Sequence, residues 1–454
     1  MSENKKQVIL GAYLGGVNHH TAWWHPDAGS QIDFSSFEHT ARTAERGRFD
    51  FFFLAEGLIL RERAGRVFDQ DIIGRPDTFT VLASLAAVTQ HLGLAGTVNA
   101  TFNEPYELAR RFASLDQLSG GRAAWNVVTS FDAFTGQNFR RGGYLDPADR
   151  YVRAEETLNA VRALWDSWPE AEPLADRAAG RFVGDPAAGA FDVHGEQFDI
   201  EGTFTVPRSP QGRPVVLQAG VSPQGRQFAA ANADAIFSPY GKLPEAADFY
   251  RDIKSRAVAA GRDADDIKIL PSASFVLGDT PAEAAEKHRE VVHGQVTGQT
   301  ARILLEQIWN RDLSGFDPDG PVPAIDPDPD APPIIQGRAF VHQDRFATAQ
   351  RLREVGEAKK LSLREVVIDQ FERGPLIGTP EQVAAQIDDF VQQDGSDGFI
   401  LGSHLVPTGL DEFVDRVVPL LQDRGVLRAE YAETSTLRGN LGLPVPQRRV
   451  QAPA

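Results

Sequence analysis

Pro214-Val-Val-Leu-Gln-Ala219 runs straight into Gly220-Val-Ser-Pro-Gln-Gly-Arg226, followed by an apolar helical pattern to Ala233 and a second apolar run, Ala235-Ile-Phe-Ser238. Short apolar runs without polar alternation read as strands buried on both faces, and a helix between two of them reads as the crossover of a parallel pair. The same unit recurs along the chain. Strands are predicted over residues 7–14, 49–55, 92–99, 123–129, 214–219, 235–238, 267–277 and 398–402. Helical patterns fall at 34–46, 78–89, 105–118, 151–168, 224–233, 246–260, 379–393 and 410–424. Strands that alternate with helices in this way close most naturally into an α/β fold, a (β/α)8 TIM barrel with insertions. An open doubly wound sheet would announce a G-x-G-x-x-G after its first strand, and Gly11 to Gly16 lacks that spacing.

The uneven intervals locate the insertions. Residues 132–150 form a polar loop after the fourth strand, and 173–207 is a longer excursion rich in Ala and Gly. The largest lies at about 280–375, between the seventh and eighth strands of what reads as one domain spanning 1–454. Within it, 316–335 is too dense in Pro and Asp for a helix interior or a central strand. A segment of this kind is either a lid or a disordered excursion.

Composition narrows the classes. The 454 residues carry a net charge of −17 with scattered basic residues, which argues against nucleic acid or an anionic membrane as partner. The absence of cysteine excludes disulfides, thiolate metal sites and cysteine nucleophiles. No signal peptide and no run of 18 apolar residues is visible, so a cytoplasmic protein is expected.

In a barrel, chemistry sits where strands end and βα loops begin. Those positions here are polar: Asn18-His19-His20-Thr21-Ala22-Trp23-Trp24-His25, Glu56-Gly57, Thr97-Val98-Asn99, Asn126-Val127-Val128-Thr129, Gln218-Ala219-Gly220-Val221-Ser222 and Gly402-Ser403-His404. Gly220 allows backbone to approach a ligand, Ser222 is an N-cap candidate, and Pro223 suits the first helical position. Such a helix start can bind an anion, with Arg226 adding charge one turn in; it is equally an ordinary capped helix. Trp23 and Trp24 either face an apolar ligand or pack under the insertion. Gly220-x-Ser222-x-x-Gly225 is not the G-x-S-x-G of a nucleophile elbow. His19 and His20, adjacent on a strand-like stretch, should point to opposite sides, so no metal site is expected.

Several longer motifs occur in a fixed order. They are His20-Thr-Ala-Trp23, Glu45-Arg-Gly-Arg-Phe-Asp-Phe51, Arg111-Phe-Ala-Ser-Leu-Asp-Gln-Leu-Ser-Gly-Gly-Arg122, Trp125-Asn-Val-Val-Thr-Ser130, Arg150-Tyr151, Pro207-Arg-Ser-Pro-Gln-Gly212, Asp397-Gly-Phe-Ile400, Val417-Val-Pro-Leu-Leu-Gln422 and Leu437-Arg-x-x-Leu-Gly-Leu443. Together they resemble the bacterial-luciferase-like two-component flavin monooxygenase family, in the group of nitrilotriacetate and dibenzothiophene sulfone monooxygenases. The resemblance spans nearly the whole chain and is weakest over 280–373. It implies an enzyme that receives FMN as FMNH2 from a separate NAD(P)H:flavin oxidoreductase. With O2 it would oxidise a small organic molecule, an organosulfur or aromatic xenobiotic, through a flavin-peroxide intermediate. It further implies that Glu56, Asn99, Asn126, Tyr151, Ala219, Gly220 and Ser222 contact the flavin, with Tyr151 and the Gly220–Ser222 loop at its phosphate. His20 would lie near the isoalloxazine and the substrate, and His20, Asn126 and Thr129 would stabilise developing charge. A homo-dimer or homo-tetramer is the implied assembly. Two departures stand out: Trp24 where relatives often have Arg, which weakens the case for a polyanionic substrate, and Glu56 where they have Asp. A deazaflavin-dependent oxidoreductase of the same superfamily and a flavin-free barrel binding module are the alternatives.

Overall fold

A computed structural model describes residues 5–68, 75–130, 133–139, 149–170, 175–337, 344–371, 376–433 and 436–448. Strand β1, Ile9–Tyr13, pairs with β2, Phe51–Leu54; the series continues through β3, Gly93–Asn99, β4, Ala123–Val128, β5, Val215–Gln218, and β6, Ala235–Ser238. β7, Lys268–Leu277, and β8, Gly398–Gly402, complete the ring, and β8 returns to β1. Every pairing is parallel, so the eight strands close into the barrel that the βα rhythm predicts.

Alternation along these strands sorts their side chains. Phe52, Leu54, Trp125, Val127 and Ile236 face outward into the helix-packed clusters. The helices are α1, Phe34–Arg46, α2, Thr78–Ala86, α3, Pro105–Leu118, α4, Asp149–Trp165, α5, Pro223–Asn232, α6, Leu243–Ala259, α7, Pro380–Gln392, and α8, Gly409–Arg416. The predicted helix at 410–424 is broken after Arg416 and resumes as Val418–Asp423, where Pro419 cannot donate to the helix ladder. Inward lie Ile9, Phe51, Phe53, Ala95, Ala124, Leu217 and Leu270, and the last residues of the motif Leu437–Leu443 fill the same cluster. Leu437 closes the N-terminal end of the barrel: its N–H donates to the Gly121 carbonyl at 2.9 Å, and a Cβ on Gly93 would stand 2.5 Å from its Cδ1.

Between β7 and β8 the chain forms helix Pro281–Gln295, which packs back on the end of β7, and then helices Gly298–Trp309, Arg345–Lys359 and Leu363–Phe371, around an apolar centre of their own that includes Leu305, Trp309, Leu352 and Val366. The Pro- and Asp-rich stretch lies as coil against these helices. Trp309 Nε1 donates to Ile325 O, and Asn310 Nδ2 to Asp328 O and Ala331 O, each at 2.8 Å. Its end, Ile335–Gln336, pairs antiparallel with Glu62–Arg63 in the loop after β2. The excursion after α4 carries a hairpin, Ala190–His194 with Asp199–Thr203.

Truncating the plug by Leu437→Ala should cost on the order of 2–5 kcal/mol of stability. Chemical denaturation should register that loss while ligand affinity at the opposite end of the barrel stays within twofold, roughly the additivity expected of distant sites.

Candidate active site at the barrel mouth

The upper ends of the strands carry the polar groups. Glu56 follows β2, and its Oε2 accepts from the Asn99 backbone N–H and from Asn99 Nδ2, both at 3.0 Å. Asn99 Oδ1 in turn accepts from Phe102 N–H at 2.7 Å, which locks the amide. Burial pushes the Glu56 carboxyl up to about 7, against the two Asn99 hydrogen bonds and with a small addition from Asp77. One register step down, Asn126 Nδ2 donates to Thr97 Oγ1 at 2.9 Å, while its Oδ1 is buried with no partner among the described residues. A buried acceptor left open is costly unless a ligand fills it.

At the β5 tip, Ser222 caps α5 by accepting from Gly225 N–H at 3.1 Å, and its Oγ lies 3.3 Å from the Tyr151 hydroxyl at the start of α4. Gly220 is required sterically: a Cβ there would lie 2.7 Å from Gln218 Nε2 and 2.9 Å from Gly225 Cα. The Gly220 N–H is taken by Gln218 Oε1 at 2.5 Å, so an anion would be met by the N–H groups that follow it. Ala219 is exposed beside it. Arg226 does not supply the expected charge, because its guanidinium is paired with Asp252 at 2.9 Å and bonded to Tyr240 and the Val221 carbonyl.

The loop after β1 departs from its prediction. β1 ends at Tyr13 and the chain turns at Asn18–Thr21, so strand alternation no longer separates His19 from His20; their rings sit 3.9 Å apart. Helix Pro281–Gln295 clasps this loop: Gln295 Nε2 donates to His20 O at 2.7 Å, and Trp24 lies against Gly294, where a Cβ would fall 2.0 Å from the indole. Trp23 and Trp24 nonetheless stay 43% and 45% exposed. Thr129, half-buried just past β4, has the parity of outward-facing Val127 rather than of Asn126. His404, after β8, is half-buried, and desolvation with weaker help from His25 and His288 holds its imidazole below the usual range, against a hydrogen bond to Phe275. Among the described residues no group of three or more His, Asp or Glu is placed to hold a metal.

Spacing did not single out Arg75. It lies before α2, yet its Nη2 donates to the Tyr13 hydroxyl at 2.8 Å and to Gly15 O at 3.1 Å, and its Nε to Gly15 O at 3.2 Å.

An open buried acceptor on β4, a tight glycine turn leading from β5 to a capped helix and a half-buried acid just after β2 suit a planar, phosphorylated heterocycle, and so fit a flavin mononucleotide. Barrel and site together define a flavin-dependent enzyme class. The match to the luciferase-like monooxygenase model extends over residues 17–398, and the chain belongs to that family. Dibenzothiophene-sulfone monooxygenase of Rhodococcus erythropolis is 40% identical over 98% of this chain and 99% of its own. Nitrilotriacetate monooxygenase component A of Aminobacter aminovorans is 37% identical over 99% of each. A crystal structure of riboflavin lyase, RcaE, with modified FMN and riboflavin superposes with a TM-score of 0.79 at 30% identity, covering 97% of both chains. The protein is thus a flavin-dependent monooxygenase by family and by reaction type. No helix among the described residues is long and apolar enough to cross a membrane.

The raised Glu56 value carries a sign. Folding favours its neutral form, so this contribution to stability is complete below pH 4.5 and is lost as pH rises through about 7. In the flavin-free protein Glu56→Gln should therefore match wild type near pH 4.5 and gain on the order of 3 kcal/mol over it by pH 8. Parallel unfolding curves at the two pH values measure the gap.

Proposed function

We propose that the chain is the oxygenase of a two-component system, binding FMNH2 delivered by a separate NAD(P)H:flavin oxidoreductase and oxidising a small organic substrate with O2. The observation that carries this reading is the unpartnered Asn126 Oδ1 in the lumen below the Glu56–Asn99 pair, with the Ser222–Tyr151 pair at the neighbouring β5 tip. Reduced FMN supplies the two electrons that let one oxygen atom of O2 enter the substrate while the other leaves as water.

The chain's own groups do the rest. Ser222, Tyr151 and the N–H groups after Gly220 hold the phosphate, with Ala219 and Gly220 letting the cofactor lie close to backbone. Asn126, whose Oδ1 is open, and Asn99, held by Glu56, would hold the ring through their polar atoms. Glu56, with its affinity for protons near 7, can carry one at neutral pH. His20, on the loop clasped by Gln295, faces the substrate side and moves a proton there; Asn126 is the further donor, whereas Thr129, with the outward parity of Val127, is left out of this role. The helices between β7 and β8, set against the loops after β1 and β2, act as the lid that keeps water out. Trp23 and Trp24 line the entrance, which suits a substrate with apolar or aromatic surface, such as an organosulfur compound.

Two variants test this. Ser222→Asp places a carboxylate where the phosphate is held and should weaken FMNH2 binding by about tenfold or more, since one opposed charge pair in a poorly hydrated site exceeds 1.4 kcal/mol; anaerobic flavin titration reads it, and unchanged affinity removes the β5 loop from the site. His20→Ala should lower substrate-coupled turnover by about 100-fold, the lower end for a positioned acid or base, with flavin affinity nearly intact. Normal coupled turnover in a folded variant would refute the role given to His20.

A further inference from the structure

Arg75 is a half-buried cation at the rim of the lumen with no carboxylate paired to it among the described residues. Several other partly buried arginines are ion-paired, although Arg364, away from the strand tips, likewise bonds only to neutral oxygens, the Val296 and His293 carbonyls. Arg63 is bound to Glu306, Arg208 to Asp166, Arg428 to Asp50 and Arg438 to Asp234. Arg122, with no carboxylate, saturates its guanidinium on five oxygens, four carbonyls and the Thr89 hydroxyl. Arg75 uses only Nε and Nη2, on two neutral oxygens, and its Nη1 makes no hydrogen bond to the described residues. A guanidinium partly withdrawn from water and left without a counter-charge favours binding an anion.

Its placement is rigid. The aliphatic stem lies over Gly57, where a Cβ would come 3.2 Å from Arg75 Cβ and Cδ. Tyr13, which holds Nη2, packs on Phe53, and Phe53 packs on Phe237, so the guanidinium is tied to the aromatic filling of the lumen. Glu56 is next to Gly57 in sequence, yet it gives its carboxylate to Asn99 and not to Arg75. In the strand order β1-β2-β3-β4-β5-β6-β7-β8, the β5 tip stands diametrically across the ring from β1. Arg75 and the Gly220–Ser222 loop therefore lie on opposite sides of the mouth. The same rim carries His20, whose loop begins at Asn18, bonded to Gly15 O and Gly16 O at 3.1 and 3.2 Å.

We infer that Arg75 is the specificity-determining residue on the substrate side and that it recognises a carboxylate. The substrate then has an apolar or aromatic body against Trp23 and Trp24 and an acid group forked onto Arg75, which fixes its reacting atom relative to His20. The inference rests on the monooxygenase reading above for the identity of the opposite half of the mouth.

Calorimetric titration of the full chain, flavin-free and FMN-loaded, tests it with three acids, phenylthioacetate, 2-(phenylthio)succinate and nitrilotriacetate, each against its methyl ester. At least one acid should bind wild type about tenfold or more tightly than its ester, the size expected of a charge-assisted hydrogen bond. Arg75→Gln should abolish that preference while leaving ester binding and FMN affinity within about twofold, and Arg75→Lys, which keeps the charge without the fork, should restore it in part. If no acid outbinds its ester, or the Gln variant keeps the preference, Arg75 is a loop clamp and the inference is wrong. FMN affinity of the wild type is read in the same titrations, so failure of the flavin reading would show itself separately from failure at Arg75.

Discussion

Closure of eight parallel strands leaves a lumen whose inward side chains must be filled from one end before the other can be used. Phe51, Phe53, Ala124, Leu217 and Leu270 fill the body, and Leu437, Leu441 and Leu443 seal the N-terminal end. With that end packed, the inward positions towards the C-terminal rim include Tyr13, Thr97, Asn99, Asn126, Ser272 and Ser274. Asn126 bonds to Thr97, Asn99 to Glu56 and Tyr13 to Arg75, while Asn126 Oδ1 is left open. The parallel direction of every strand puts all the βα loops at that same rim, so Glu56, His20, Ser222 and Tyr151 arrive there from widely separated parts of the chain.

The rim is covered by material from between β7 and β8, and the attachment is polar as well as apolar. Arg63, in the loop after β2, makes a bidentate pair with Glu306 at 2.6 and 2.7 Å, and the Glu306 carboxylate is fully buried. Breaking such a pair by removing one partner is far more costly than never having it, which keeps the covering helices in register with the loop that carries Glu56 and Arg75. The short pairing of Ile335–Gln336 with Glu62–Arg63 reinforces the same join. Cover and site loop are thus coupled through one strip of chain.

Family motifs divide between these two tasks. The segment from Arg111 to Arg122 serves packing: Asp116 accepts from Ala123 N–H and from Gln211, and Arg122 ties α2 and the β3 entry to the turn before β4. Leu437–Leu443 is the plug. By contrast, Trp125–Ser130 does both, since Trp125 is buried among helices while Asn126, one residue on, faces the lumen. A long motif therefore says less about chemistry than about where its alternate residues point.

Strand and helix identity, the barrel and the polar tips were legible in the sequence, because period-2 and period-3.6 patterns and end-capping signals are local. Ser222 and Pro223 announced the α5 start in just this way. The helices Gly298–Trp309, Arg345–Lys359 and Leu363–Phe371 escaped, since their apolar faces pack on one another around Trp309 and not on the barrel, and Pro-rich coil interrupts the pattern. The histidine turn was misread because alternation ends where β1 ends. What the chain's order of residues determined is which side chains lie inward and which end of each strand is polar. What only the tertiary structure decided is partnership: that Arg226 is taken by Asp252, and that Arg75 reaches across to Tyr13 and Gly15 without a carboxylate partner among the described residues. Charges act through space with a reach of a few ångströms, and only the closed barrel brings residues so distant in sequence within it.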